Sequence, residues 1–508
     1  MPWSLTKAIP APSWLALLAA LLIVLLPQVF LFSHITDDAY IGFRYATRLA
    51  GGQGLTFNPG EHVEGFSNPL WTLMLAIGVW LTPLSAPDIA RGLGLLFTAL
   101  TVVGAWRFFC RPAGEHSGSV ADFVLWSAIV LTAPGFHVYA TAGLEGPLLM
   151  FLLFCGTLLT VRTDGPSSYG AAVMFGLVGI VRPEGALYGS LWYFLTWRMR
   201  TGWPRRREFL LLAALFLPAL GYEIFRLFYF GRILPNTFVA KPPGVFGGDA
   251  FALSYLWPWF QSLGGLALVF LALVPGRFDA ACKRILWVGL APIAAAVVFV
   301  LYARGDWMPF GRFIIPIWPV VGLVVTAWVR ALVEGNGLRP WKSIRCIIAE
   351  IFFLASVLAW LPALVSYGRN EGINMLMRGA DQLAVGQWLS TNVRPGSTVA
   401  TRRLGGISYG APQLVFWDKS GLTDSEQAAF LSTSLSPELD DSEQPVLKRS
   451  PDILALVDAP AWWTYTKQPR FVEWLNLHYR LVRRFPQGNW GTFDIWVAKD
   501  KLSVLLSE

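Results

Sequence analysis

About a dozen apolar stretches, each long enough to approach or cross a ~30 Å hydrocarbon core, fill residues 13–366 of this chain. No soluble fold has room for so many, so the chain is expected to be a polytopic α-helical membrane protein. The stretches run at about 13–32, 69–84, 89–109, 120–133, 143–162, 168–181, 184–197, 208–230, 252–275, 285–303, 312–333 and 346–366, which predicts roughly 11–13 transmembrane helices. Charged residues make up only 14% of the chain, against about a quarter in ordinary soluble domains. The formal charge of +8 would point to nucleic acid in a soluble protein. Here the basic residues gather in short loops between apolar stretches, where they set topology, and no nucleic-acid partner is expected.

The most basic loop, Arg198 to Arg207, is assigned to the cytoplasm, and the sides alternate from there. The first loop (34–68) and the tail after Tyr367 both fall outside. Twelve full crossings from an inside N-terminus cannot give both, so one apolar segment must fail to cross or a short crossing is hidden. The short segments 69–84 and 120–133 are the candidates. The organisation expected is a transmembrane module over 1–366 and a soluble mixed α/β domain over 367–508. In that tail, strands are expected at Ser397–Thr401, Gln413–Trp417, Asp452–Val457, Tyr479–Phe485 and Phe493–Ala498, with helices at Asp381–Leu389 and Arg470–Leu477. Ser432–Gln444 reads as an exposed loop. Four cysteines and five histidines show neither a disulfide framework nor metal-ligand spacing, so no metal is expected.

Ionisable residues stand at the outer ends of the apolar stretches more often than chance placement explains. Asp37 and Asp38 open a segment in which Ile41, Tyr45 and Leu49 recur at i, i+4 and i+8, predicting an amphipathic helix over 39–50 on the membrane surface, ended by Gly51 and Gly52. One of the two acids could simply cap that helix. Glu61, Glu64, Glu145, Arg182, Glu184, Lys241, Asp306 and Arg312 lie on the same side. Taken singly, each could be an interfacial charge reaching for water. Together, acids and cations facing one groove suit a substrate with a phosphate leaving group and a hydroxyl to be deprotonated. Glu223 with Arg226, and Arg91, read as structural.

Six motifs in order resemble one family, the multispanning GT-C glycosyltransferases that use polyprenyl-phosphate sugars, and within it the branch of the mycobacterial terminal arabinofuranosyltransferases. They are Asp37-Asp38-Ala39-Tyr40-Ile41 with Phe43-Arg44-Tyr45; Phe57 to Asn68, including Glu61-His62-Val63-Glu64; Gly143-Leu144-Glu145; Val181-Arg182-Pro183-Glu184; Leu234-Pro235-Asn236-Thr237-Phe238 with Lys241; and Gly305-Asp306-Trp307-Met308-Pro309 with Arg312. Gly421-Leu422-Thr423-Asp424 resembles the family's tail. The chain departs from the pattern in a shorter tail and in Arg304 where a glycine is expected.

The resemblance implies an inverting transfer of a sugar, arabinofuranose by the branch it resembles and mannose or another hexose otherwise, from a polyprenyl-phosphate donor to a hydroxyl of a glycan or protein. The reaction would take place outside a cytoplasmic (inner) membrane, with no cofactor and with membrane lipid as the surrounding partner. Asp37 would accept the acceptor's proton and Asp38 would orient it. Lys241, Arg182, Arg312 and Arg44 would hold the donor phosphate, and Glu145, Glu64, Asn68, Glu184, Asn236, Asp306 and His62 would line the substrate site. A transporter or flippase of a lipid-linked sugar is the alternative, and the absence of a recognisable internal repeat speaks against it.

Overall fold

The computed structural model describes residues 11–30, 34–110, 119–162, 169–197, 204–241, 249–261, 278–306, 308, 310–335, 379–433, 444–459, 463–487 and 491–506. The protein is a multi-pass membrane protein with a C-terminal α/β domain. Among the described residues, three helices are long and apolar enough to cross a membrane alone: Ala86–Cys110, Arg205–Phe230 and Ala280–Ala303. Their ends are set locally. The first turn of Ala280–Ala303 is capped by Asp279, whose side chain accepts from Cys282 N–H at 2.6 Å. Arg205–Phe230 stops at Gly231, which takes the left-handed conformation that spares a side chain its clash.

Of the two segments suspected of not crossing, one is short and the other is bent. Pro69–Leu81 has 13 residues and so spans only ~20 Å at 1.5 Å per residue. Val120–Leu131 turns by 74° into Pro134–Ala140, and the pair makes at most one broken span. Ala133 at the corner is extended, as a residue before proline must be. Of the expected stretch at 252–275, Asp249–Gln261 is helical and its continuation lies outside the described residues, as does all of 346–366. Ser432–Gln444 is described only at its two ends.

In the tail, every expected strand is present within a residue or two: β1 Thr398–Thr401, β2 Val415–Asp418, β3 Ile453–Ala459, β5 Tyr479–Pro486 and β6 Thr492–Ala498, with a two-residue β4 at Trp463–Thr464. The sheet order is β2-β1-β3-β6-β5, with β4 beside β3. β1 runs parallel to both neighbours, while β6 is antiparallel to β3 and β5. Side chains alternate across the sheet with period two, and the alternation fixes which face meets what. Val399, Ile453, Ala455, Ile495 and Val497 pack toward the membrane module, whereas Ala400, Leu454, Leu456 and Trp496 pack under Pro469–His478.

The amphipathic helix exists as Asp37–Ala50, but it does not lie on a lipid surface. Ile41 and Tyr45 are buried in one cluster with Phe57, Phe66 and the tail residues Leu404, Ile407 and Leu422. On the opposite side Tyr40, Phe43 and Ala46 are buried against Trp71 and Leu75 of the membrane module. The helix is a layer between two bodies, because Tyr40 and Phe43 make its second side apolar as well.

Candidate active site

The ends of the helices nearest the C-terminal domain enclose a cavity of about 620 Å³, within the ~300–1,000 Å³ range of small-molecule sites. Six stretches far apart in sequence supply its walls: Asp38 with Ile41 and Gly42, the loop Gly65–Asn68, the turns at Leu144-Glu145 and Arg182-Pro183-Glu184, the segment Leu234–Lys241, and the end of Ala280–Ala303 with Asp306, Arg312 and Phe313. Tail residue Leu422 also lines the cavity.

The backbone turns that deliver these side chains follow from the sequence. Arg304 and Gly305 both adopt positive φ, which ends the helix abruptly and turns Asp306 inward. Gly65 has no room for a side chain, since a Cβ would stand 2.4 Å from Thr423 Cγ2. The loop Gly421–Asp424 is shaped by Asp418, whose carboxylate accepts from Ser420 N–H at 2.7 Å and Thr423 N–H at 3.0 Å.

Two charge clusters occupy the cavity. In the first, Arg182 Nη1 donates to Glu145 Oε1 at 2.5 Å and its Nε bonds Glu184, while Asn68 Nδ2 donates to Glu145 Oε2 at 2.7 Å. All three charged groups are nearly inaccessible. Burial would push the Glu145 carboxyl up, but the Arg182 guanidinium and the Asn68 amide outweigh it and hold it below the usual carboxylate range. In the second, Asp38 stands 3.8 Å from Lys241 Nζ and 3.9 Å from Arg312 Nη1. Arg312 also donates to Asp306 Oδ1 at 2.9 Å, which fixes its direction. The Asp38 contacts are ion pairs beyond hydrogen-bond length, and the Asp38 and Lys241 side chains remain partly open to the cavity.

Of the residues expected at the site, Asp38, Lys241, Arg182, Arg312, Glu145, Asn68, Glu184 and Asp306 line the cavity. The others are elsewhere. Asp37 turns its carboxylate toward the tail, where Oδ1 accepts from Gly406 N–H at 2.7 Å, and it caps no turn of its own helix. Arg44, expected at the donor phosphate, is buried at the seam with the tail. There it donates to the carbonyls of Phe57 and Leu414 at 2.9 Å each and to that of Ser408, with its guanidinium over Phe57 and Phe416. With those donors already taken by carbonyls, Arg44 serves the seam. Glu64 is locked by Arg226 and Tyr222, and Asn236 Nδ2 bridges the carbonyls of Gly421 and Leu422. His62 is exposed against Tyr229.

Ser67, Thr237 and Tyr302 line the cavity and were not singled out from the sequence. Ser67 and Thr237 sit inside motifs that were, beside Asn68 and between Asn236 and Lys241, whereas Tyr302 reads in sequence as one more aromatic at a span end.

Comparison with known proteins bears on the fold. A crystal structure of ArnT from Cupriavidus metallidurans bound to undecaprenyl phosphate superposes with a TM-score of 0.57, over 96% of this chain and 98% of that one, at 14% identity. The apo form of the same protein gives 0.53 over the same shares. The chain has the GT-C fold. Two curated relatives, each named terminal β-(1→2)-arabinofuranosyltransferase, match this GT-C chain in sequence. The one from Mycobacterium tuberculosis is 33% identical over 222 residues, covering 41% of this chain and 35% of the relative. The one from Corynebacterium glutamicum is 31% identical over 338 residues, covering 56% and 47%. The matches therefore span about a third to a half of those relatives' length. Residues 373–504 match a family model described as a domain of unknown function, DUF8728.

Proposed function

We propose that this protein is an inverting glycosyltransferase that moves a sugar, arabinofuranose by its relatives' names, from a polyprenyl phosphate to a hydroxyl on the outer face of a cytoplasmic membrane. The observation that carries the reading is the open cluster: a carboxylate with two cations within 4 Å, facing a cavity that also has an apolar wall. Asp38 accepts the proton of the acceptor hydroxyl as that oxygen attacks the anomeric carbon from the face opposite the phosphate. Lys241 and Arg312 stabilise the charge that gathers on the departing phosphate, and because they are already in place they need no reorganisation to do so. Leu187, Leu234, Phe238, Val298, Phe299 and Phe313 offer the first isoprene units a surface as apolar as the bilayer. Arg182 with its two acids shapes the wall. The ArnT structure with undecaprenyl phosphate supports the donor class, as a property of that neighbour.

The reading is tested by incubating membranes that contain the protein with a radiolabelled polyprenyl-phosphate arabinofuranose and following label into the glycan and protein fractions. Protein-dependent transfer is expected. Movement of intact donor across sealed vesicles without transfer would identify a flippase instead.

A further inference from the structure

The neighbour of the cavity acid is gripped from the far end of the chain. Besides the bond from Gly406 N–H, Asp37 Oδ1 accepts from the Gln382 amide nitrogen at 2.5 Å, in the orientation that lets the Gln382 oxygen accept from Arg403 at 3.3 Å. Gly405 approaches so closely that a Cβ there would stand 1.9 Å from the Asp37 carbonyl oxygen. Two residues earlier, Ile35 O accepts from Gly379 N–H at 2.6 Å, and two turns later Arg44 is held by the carbonyls of Ser408 and Leu414. The start of the helix that carries Asp38 is thus clamped at three levels to residues 379–414, while the carboxylate of Asp38 itself points the other way, into the cavity.

We infer that the tail turn Leu404–Gly406, acting through Asp37, positions Asp38 for the transfer step, so that the domain of unknown function is a working part of the active site. The inference rests on the reading of Asp38 as the base. Asp37 is then a positioning residue whose role needs an acceptor oxygen and not a base: both groups that bond Oδ1 are N–H donors, which a carboxamide oxygen also accepts. A displacement of ~1 Å at a reacting group is enough to slow a reaction about a hundredfold. A shift of the clamp should therefore act on kcat and leave donor binding, made by other segments, nearly untouched.

The test is steady-state kinetics of the purified full chain in lipid nanodiscs with a synthetic polyprenyl-phosphate arabinofuranose, comparing Asp38→Asn, Asp37→Asn, Asp37→Ala and Gly405→Ala. Expected are an Asp38→Asn slowed by about a hundredfold or more, an Asp37→Asn within about threefold of the parent, and Asp37→Ala and Gly405→Ala with kcat down by about tenfold or more at nearly constant donor KM. Where a clamp variant fails to fold, Gln382→Ala, which removes one donor only, decides: reduced kcat at constant donor KM supports the inference, and parent-like kcat overturns it. Turnover by Asp38→Asn near the parental rate would sink the reading of the base itself. A slowed Asp38→Asn together with an equally slowed but folded Asp37→Asn would overturn the positioning role alone.

Discussion

The two charge clusters in the cavity are built from the same residue types and are opposite in construction. Around Arg182, two carboxylates and an asparagine amide close on one another at hydrogen-bond distances, with the charged groups nearly inaccessible. Around Asp38, the cations stand off by almost 4 Å and part of the surface stays open. Buried charges must be neutralised in the fold itself, so the closed cluster has little left for a ligand. The open cluster leaves Lys241 and Asp38 under-partnered, as expected of groups whose strongest contacts form only when substrate arrives. Sharing a cavity is thus not sharing a task.

Breaking the closed cluster should give the largest effect, and it should fall on stability. Arg182→Met leaves Glu145 and Glu184 buried side by side without a cation, a loss of about 3–5 kcal/mol. The expected outcome is a markedly lower unfolding temperature in lipid nanodiscs. A variant as stable as the parent would mean that the cluster is not closed in the working protein.

Breaking the open cluster should fall on catalysis. Lys241→Met removes the less committed cation, so donor KM should rise and kcat should drop, together costing about a hundredfold in kcat/KM, with the unfolding temperature unchanged. An effect confined to acceptor KM would assign Lys241 to the other substrate. Arg312→Met should combine both penalties, because it also strands the buried Asp306.

The contrast between the clusters was out of reach of the sequence, although their members were not. Charges at span ends pointed to Asp38, Glu145, Arg182, Lys241 and Arg312, because an ionisable group at membrane depth needs a reason to be there. Local periodicity located the tail strands and the helix after Asp37. What periodicity cannot supply is the partner at the other end of the chain. Arg44 looked like a further phosphate ligand until its guanidinium proved to be held by backbone carbonyls more than 360 residues away. The Asp37-Asp38 pair divides between tail and cavity for the same reason, since adjacent residues on a helix leave it 100° apart and only the tail's position decides which faces inward.

The smallest expected effect separates that pair by pH. Burial pushes the Asp37 carboxyl up from 3.8 to about 6, against the lowering bond from Gly406. The folded chain therefore holds a proton that the unfolded chain releases, so this contribution to stability is fully present below pH 3.8 and is lost as pH rises through about 6. Resistance of the tail to limited proteolysis should decline modestly over that window in the parent, and Asp37→Asn should flatten the decline. An unchanged slope in Asp37→Asn would place the titrating group elsewhere.

The central claim, that Asp38 is the base in a sugar transfer from a polyprenyl phosphate, is met most directly by measuring donor binding and single-turnover transfer on one preparation of Asp38→Asn. The amide keeps the shape and loses the basicity, so the account predicts donor affinity within a few-fold of the parent and transfer slowed by about a hundredfold or more. Transfer at the parental rate with donor bound would contradict it.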